Sequence, residues 1–205
     1  MPTYDVAMMT VHPGKHPDAL MRLQRSLSEG AYSGQLLGCW YSEIGALNQI
    51  LMIHTGADEP ARTDARARIL QSSDPFGVGG LLVGMSMDTY VSFPFLPPMK
   101  AGQYGRIYEV RTYAVRPDGL APTMELWRKA VPARVTLSPL LVAMYSVSGT
   151  VTRFMHLWPY ASLDERQRLR AKAVADGVWP PPGGPDHFIS MHSDIFLPAD
   201  FSPMR

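Results

Sequence analysis

Acidic, basic and phenolic side chains alternate along the segment Ile107–Val115, which reads IYEVRTYAV. Its Val, Tyr and Thr content is typical of a β-strand, and the side chains of a strand point alternately to its two faces. Glu109, Arg111 and Tyr113 therefore share one face, and the opposite face is largely apolar. Because the first face is too polar for a core covered by a helix, we predict that it points into an internal cavity or its mouth.

Arg111 and His156 are the two residues best suited to handle an oxyanion and a proton. His156 lies on another predicted strand, where it shares a face with Trp158. A guanidinium donates paired hydrogen bonds to a carboxylate or an enolate oxygen, and an imidazole exchanges protons near neutral pH. Tyr145 or Tyr113 would donate a hydrogen bond to a developing oxyanion. We predict catalytic roles for His156 and Tyr145.

The remaining predicted ligand contacts are Glu109, Arg111, Tyr113, Trp158, His54 and Tyr41. The alternative is that Arg111 and His156 have structural roles. Arg111 would then form an ion pair with Glu109 or with another carboxylate, and His156 would be a hydrogen-bonded histidine of the core.

The sequence gives little support for metal binding. Cys39 is the only cysteine, which excludes an intrachain disulfide and favours a small buried residue. His12 and His16 have the spacing of ligands on a helix, but a Pro-Gly pair separates them. We predict no metal and no bound cofactor, and haem held by a single histidine is the alternative.

A single offset of 104 residues relates the two halves of the chain. It separates Tyr41 from Tyr145 (145 − 41 = 104), Gly45 from Gly149, Arg62 from Arg166 and Arg66 from Arg170. Matches in one register over most of the chain indicate a duplicated unit. The two arginine pairs have the i,i+4 spacing of a helix and are predicted to form solvated faces.

Each half predicts the element order β-α-β-β-α-β, which is the ferredoxin-like unit. The predicted strands are 4–11, 36–42, 49–54 and 81–91 in the first half and 107–115, 140–146, 153–158 and 188–196 in the second. Turns are expected at Gly45 and Gly149, and a capping box begins a helix at Ser162. We predict an α+β fold with one repeat over residues 1–98 and the other over residues 99–205, joined by a stiff linker over Phe93–Gly105.

Several segments of the second half resemble the NIPSNAP family. The matching segments are Tyr108–Tyr113 followed by Pro117-Asp118-Gly119, His156–Tyr160, and Phe201–Met204, together with Trp40–Gln49 in the first half. The resemblance implies a dimeric α+β barrel, closed here within one chain around a cavity. The first half departs from the pattern, because Met52 replaces the strand histidine and the first strand lacks the Glu and Arg pair.

We predict that a protein of this type binds a small organic molecule between the repeats, a hypothesis motivated by His156 and by the polar face of Glu109, Arg111 and Tyr113. The chemistry expected there is proton transfer, cyclisation or cofactor-free oxygenation of an activated aromatic or polyketide-like substrate. Whether the protein is an enzyme stays open. The alternatives are a non-catalytic protein-interaction module and a haem-binding barrel.

The overall composition excludes several classes of partner. Nineteen basic and eighteen acidic residues give a net charge of +1, and no basic block alternates with aromatic residues, so nucleic acid is not expected. No apolar run reaches the roughly 18 residues of a membrane-spanning helix. We expect no signal peptide and a cytoplasmic location, and free sheet edges leave a homodimer open.

Overall fold

The computed structural model describes residues 1–56, 58–148 and 152–205, and in them the order β-α-β-β-α-β occurs twice. The first repeat comprises β1 (Thr3–Val11), α1 (His16–Ser28), β2 (Gln35–Ile44), β3 (Gln49–Thr55), α2 (Glu59–Gln71) and β4 (Leu82–Ser92). The second comprises β5 (Ile107–Val115), α3 (Leu120–Arg134), β6 (Val142–Ser146), β7 (Arg153–Tyr160), α4 (Leu163–Ala175) and β8 (Phe188–Pro198). The predicted α+β fold of two ferredoxin-like repeats is confirmed.

The eight strands form one closed antiparallel barrel in the order β1-β3-β2-β8-β5-β7-β6-β4, with β4 returning to β1. Each repeat supplies four neighbouring strands. The repeats join where β2 pairs with β8, as at Tyr41 and Leu197, and where β4 pairs with β6, as at Val91 and Tyr145. The last strand of each repeat thus completes the sheet of the other.

The barrel interior is packed with apolar side chains from both repeats. Trp40 lies against Tyr108 with ring centroids 5.3 Å apart. The rest of the interior cluster comprises Tyr4, Val6, Leu37, Leu51, Ile53, Tyr90, Met99, Val110, Val142, Met144, Met155, Leu157, Phe196 and Met204. The space in which we predicted a ligand is therefore occupied by core side chains.

The helices cover the outside of the barrel. Leu23 of α1 and Ile69 of α2 belong to the buried cluster over the first repeat, and Trp127 and Val131 of α3 belong to the one over the second. The second cluster also contains Tyr113, from the polar face of β5. The prediction that this face points into the barrel is wrong, because alternation along β5 turns Tyr108 and Val110 inward instead.

Pro132 lies inside α3, which continues past it to Arg134. The turn predicted at Gly149 lies outside the described residues. In the part of the chain that the structure describes, no helix combines the length and apolar character needed to span a membrane.

Candidate functional site

A buried carboxylate lies beneath the helices of the second repeat. Glu109 of β5 is fully buried, and its Oε1 accepts hydrogen bonds from Arg166 Nη2 at 2.6 Å and Ser193 Oγ at 2.8 Å. Arg111 Nε and Arg170 Nη1 lie farther from the same oxygen, at 3.5 and 3.8 Å. Three guanidinium groups thus surround one carboxylate between the sheet and α4.

The first repeat contains the same arrangement around Asp5, which is also buried. Arg62 and Arg66 of α2 each lie 3.4 Å from its carboxylate, Thr89 Oγ1 donates to it at 2.9 Å, and the Tyr32 hydroxyl donates at 3.0 Å. A further hydrogen bond joins Arg66 to Thr89.

The two clusters are related by the offset of the repeats. Asp5 corresponds to Glu109 (109 − 5 = 104) and Thr89 to Ser193 (193 − 89 = 104). The prediction that the arginine pairs form solvated faces is therefore wrong, since they reach inward to these carboxylates. The first strand therefore has an acidic residue equivalent to Glu109, namely Asp5. The offset of 104 residues was the signal in the sequence that would have identified it.

The arginines set the ionisation of the cluster. Burial by itself raises the pKa of the Glu109 carboxyl, but the Arg166 hydrogen bond and the charges of Arg111 and Arg170 outweigh it and lower that pKa below its usual value. Burial also raises the pKa of the nearby Tyr113 phenol, and Arg111 opposes that rise. At neutral pH Glu109 is ionised, and Tyr113 keeps its proton and can donate it.

His156 is fixed as a neutral imidazole. It is 1% exposed, and its Nδ1 accepts a hydrogen bond from Trp158 Nε1 at 2.6 Å, which places the ring proton on Nε2. Burial first, and then the charges of Arg111 and Arg170, lower its pKa well below the ordinary value. Its Nε2 is buried without a hydrogen-bond partner among the described residues.

A pocket opens beside the Glu109 cluster, between the sheet, the helices and the proline-rich loop before β8. Its cavity measures about 190 Å³. Aromatic rings make up much of its wall: Trp127 lies edge-on to Trp179 at 4.7 Å, and Tyr113 contacts Phe188 at 4.8 Å. The side chains of Arg111 and Arg170 also line the pocket.

The structure brings only some of the predicted site residues together. Arg111 and Tyr113 line the pocket. Next to its lining, Glu109 lies beside Arg111, His156 beside Tyr113 and Trp158 beside Trp179. Tyr145 packs 6.4 Å from Phe93 and is not among the lining residues. The remaining two belong to the first repeat: Tyr41 stacks on His16 at 5.3 Å, and His54 lies 4.8 Å from Tyr32.

Apart from Arg111 and Tyr113, the residues that line the pocket were missed from the sequence, among them Trp127, Arg170, Trp179 and Phe188. Trp127 was visible only as part of the apolar face of a helix. Trp179 precedes a proline-rich loop, and no local pattern shows where such a loop folds back. Among the described residues, no group of three or more His, Cys, Asp or Glu side chains is placed to hold a metal ion.

The closed barrel of two ferredoxin-like repeats, covered by helices on its outside, defines the class of tandem α+β barrel proteins. The NIPSNAP family model matches residues 4–97 and 108–203. The chain belongs to the NIPSNAP family.

Relatives of low identity extend over most of the chain. A protein NipSnap homolog from Dictyostelium discoideum is 25% identical over 70% of this chain and 65% of its own length. The human protein NipSnap homolog 3A is 22% identical over 98% of this chain and 85% of its own length. The chain spans just under two thirds of the Dictyostelium protein and of the Drosophila melanogaster protein NipSnap, 65% and 66% respectively.

Solved structures share the fold. An anthrone oxidase-like protein superposes with a TM-score of 0.67 at 10% identity, over 98% of this chain and 93% of its own. A putative monooxygenase from Lactobacillus acidophilus gives a TM-score of 0.63 at 10% identity, over 96% of this chain and 93% of its own. At such identities the likeness concerns the architecture alone.

Proposed function

We propose that the second repeat binds a small organic molecule in the pocket beneath its helices. The observation that carries this proposal is the convergence of Arg111, Arg170 and Tyr113 on a cavity with aromatic walls. Ligand sites are typically concave and largely apolar, with a few convergent polar groups. The pocket thus takes the place of the cavity that the sequence predicted between the repeats.

The geometry favours binding over acid–base catalysis. His156 is neutral at pH 7, its Nδ1 is engaged by Trp158, and its low pKa makes it a weak base. Arg111 and Tyr113 are hydrogen-bond donors suited to hold an oxyanion. Proton transfer, cyclisation and cofactor-free oxygenation, the last suggested also by the monooxygenase-like barrels that share the fold, stay predictions for a ligand held in this way.

A blocking substitution at Val174 tests the pocket. Val174 lines it but is 63% exposed, so a tryptophan there will fill the pocket without disturbing the core. Leu70, the equivalent residue of the first repeat (174 − 104 = 70), is 55% exposed and offers a matched control. We would screen single-ring aromatic acids, amides and alcohols by ligand-observed NMR.

We expect Val174→Trp to abolish binding of the screened compounds and Leu70→Trp to retain it. Circular dichroism would show that both variants keep the fold. Compounds that bind the wild type and the Val174→Trp variant equally would place the binding site elsewhere and contradict the proposal.

A specific observation also supports the alternative of an interaction module. β8 pairs with β2 only over Ile195–Pro198, so in the described residues the edge of its first half is unpaired. Ile189 and Met191 on this segment are 62% and 54% exposed. An open edge with apolar side chains favours pairing with another strand. Sedimentation of the wild type and Ile189→Lys would test it: a dimer that Ile189→Lys dissociates supports the module, and a monomeric wild type excludes self-association.

A further inference from the structure

We infer that the pocket of the second repeat selects a compact aromatic anion, whose charged group lies between Arg111 and Arg170 while its ring packs among the aromatic walls. This inference rests on the proposed function and names the class of ligand. It assigns a binding role to Arg170 and joins it with Arg111 in one anion site.

The cluster around Glu109 carries more positive charge than the protein neutralises. Three guanidinium groups face one carboxylate, which leaves a net charge of +2 (3 − 1). Arg166 takes the short contact with Glu109, at 2.6 Å, whereas Arg111 and Arg170 remain at 3.5 and 3.8 Å. Two partly buried cations are thus left with only weak contacts to the carboxylate.

Two positively charged side chains face a ligand in the pocket. Arg111 Nε itself is enclosed beside Glu109, so a ligand would meet the rest of that guanidinium group. Both side chains line the pocket, and they are 18% and 35% exposed. In such a partly desolvated position a charge–charge contact is stronger than in bulk water, so an anion entering the pocket gains more than a neutral molecule of the same shape.

The surplus charge is smaller in the first repeat, where two guanidinium groups face one carboxylate and leave +1 (2 − 1). Ala7 stands where the second repeat has Arg111 (111 − 7 = 104), and Met9 stands where it has Tyr113. Both are fully buried in an apolar cluster, and the Arg62 guanidinium is engaged by Thr3 as well as by Asp5. The additional cation Arg111 and the phenol of Tyr113 therefore occur together, and both line the pocket beside the Glu109 cluster.

The walls and the volume of the pocket define the rest of the ligand. Trp127, Trp179, Tyr113 and Phe188 present ring faces and edges, which favour an aromatic ring. The cavity of about 190 Å³ is smaller than the roughly 300–1,000 Å³ of sites for drug-sized ligands. A single ring with one carboxylate or similar oxyanion fits this space.

Benzoate and benzamide provide a matched pair of probes, because they share a shape and differ in charge. We would measure both by isothermal titration calorimetry at pH 7.5 and low salt, with the full chain. We expect at least a tenfold preference for benzoate in the wild type. Arg111→Met and Arg170→Met should each remove the preference, and Arg111→Lys should keep part of it.

Arg66→Met is the matched control, since Arg66 is the first-repeat equivalent of Arg170 (170 − 104 = 66). It should keep the preference for benzoate even where it lowers the melting temperature. Thermal melts of every variant would exclude unfolding as the cause of lost binding.

The results that would contradict the inference can be told apart from one another. Equal affinity for the two probes, with both blocked by Val174→Trp, would overturn the anionic class and leave the proposed pocket in place. A benzoate preference that survives both Arg111→Met and Arg170→Met would place the charge recognition elsewhere. Failure of both probes to bind at millimolar concentration would overturn the inference, and failure of the whole NMR screen as well would overturn the proposed pocket.

Discussion

At the scale of single residues, a buried acidic side chain occupies the same position of both repeats, as Asp5 and Glu109. Each is held by arginines of the covering helix and by a hydroxyl of the last strand, Thr89 or Ser193. Burial of an isolated carboxylate would shift its ionisation or destabilise the fold. The arginines allow a polar strand face to lie under a helix, which the hydrophobic pattern alone argued against.

Removing the charge of Glu109 tests its structural role. Glu109→Gln leaves three arginines without a counterion, and breaking such a buried ion pair typically costs about 3–5 kcal/mol. We expect a loss near 3 kcal/mol in the free energy of unfolding, because the arginines are 18% to 35% exposed and partly solvated. Urea denaturation measures it.

Glu125→Gln is the control for this substitution. Glu125 forms its ion pairs with Arg128 and Lys129 on the exposed face of α3, and surface pairs contribute little. Its denaturation midpoint should stay close to that of the wild type. Equal losses in the two variants would show that burial of Glu109 is not what makes it important.

We expect two buried histidines, His54 and His156, to make the protein less stable in mild acid. Burial lowers the pKa of His54 from 6.5 to about 4, against the opposing charge of Asp5, and the pKa of His156 is also lowered. Between about pH 6.5 and pH 4 the unfolded chain therefore binds protons that the folded chain does not, and stability falls as the pH falls. Each histidine contributes a slope of roughly 1.4 kcal/mol per pH unit.

His54→Phe should reduce this slope by the share of one histidine, measured as the free energy of unfolding at several pH values between 4 and 6.5. The Glu109 carboxyl affects stability at lower pH than the histidines do. Its pKa is lowered by folding, so its contribution is complete above its unfolded value and is lost as the pH falls through the folded one. An unchanged slope in His54→Phe would contradict the role of that histidine.

At the scale of elements, the second helix of each repeat carries the arginines and begins at a side-chain cap. Ser162 Oγ accepts from Glu165 N at 3.1 Å, which is the first bond of the predicted capping box. Glu165 Oε2 accepts from Ala161 N at 2.6 Å, one residue before the Ser162 amide that a capping box would use. Asp58 caps α2 by accepting from Ala61 N at 3.0 Å. The two caps are also 104 residues apart (162 − 58 = 104).

Loss of the cap should weaken α4 by a predictable amount. We expect Ser162→Ala to lower the free energy of unfolding by about 1 kcal/mol, and Ser162→Gly to lower it by only a few tenths, because glycine is itself tolerated at this position. Chemical denaturation of the two variants measures the difference. Equal losses would show that the hydroxyl does not stabilise the helix through its hydrogen bond.

At the scale of the whole molecule, both repeats contribute to one interior. Strand pairing crosses between them at β2 with β8 and at β4 with β6, and the cluster inside the barrel draws on all eight strands. Opening one repeat would expose the interior face of the other.

We therefore expect one cooperative unfolding transition, in contrast with the separate transitions common in two-domain proteins. Differential scanning calorimetry should give a calorimetric enthalpy equal to the van't Hoff enthalpy. Leu157→Ala, in the shared interior, should lower the free energy of unfolding by about 2–5 kcal/mol and still give a single transition. Two resolved transitions would contradict a shared core.

The sequence by itself determined the duplication, the element order of each repeat, the ferredoxin-like fold and the family. These follow from local patterns and from one constant offset, which require no knowledge of distant contacts. It also identified Arg111 and Tyr113 as neighbours on one strand face, and both line the pocket. The repeat boundaries at residues 98 and 99, the cytoplasmic location and the homodimer stay predictions.

Only the tertiary structure decided which face of β5 lies inside the barrel. Alternation along a strand separates two faces but does not say which of them meets the core. The answer depends on Arg166, which is 57 residues from Glu109 in sequence and neutralises it at 2.6 Å. The pocket wall likewise combines β5 with a loop that folds back over Trp127, and such long-range packing leaves no local pattern in the chain.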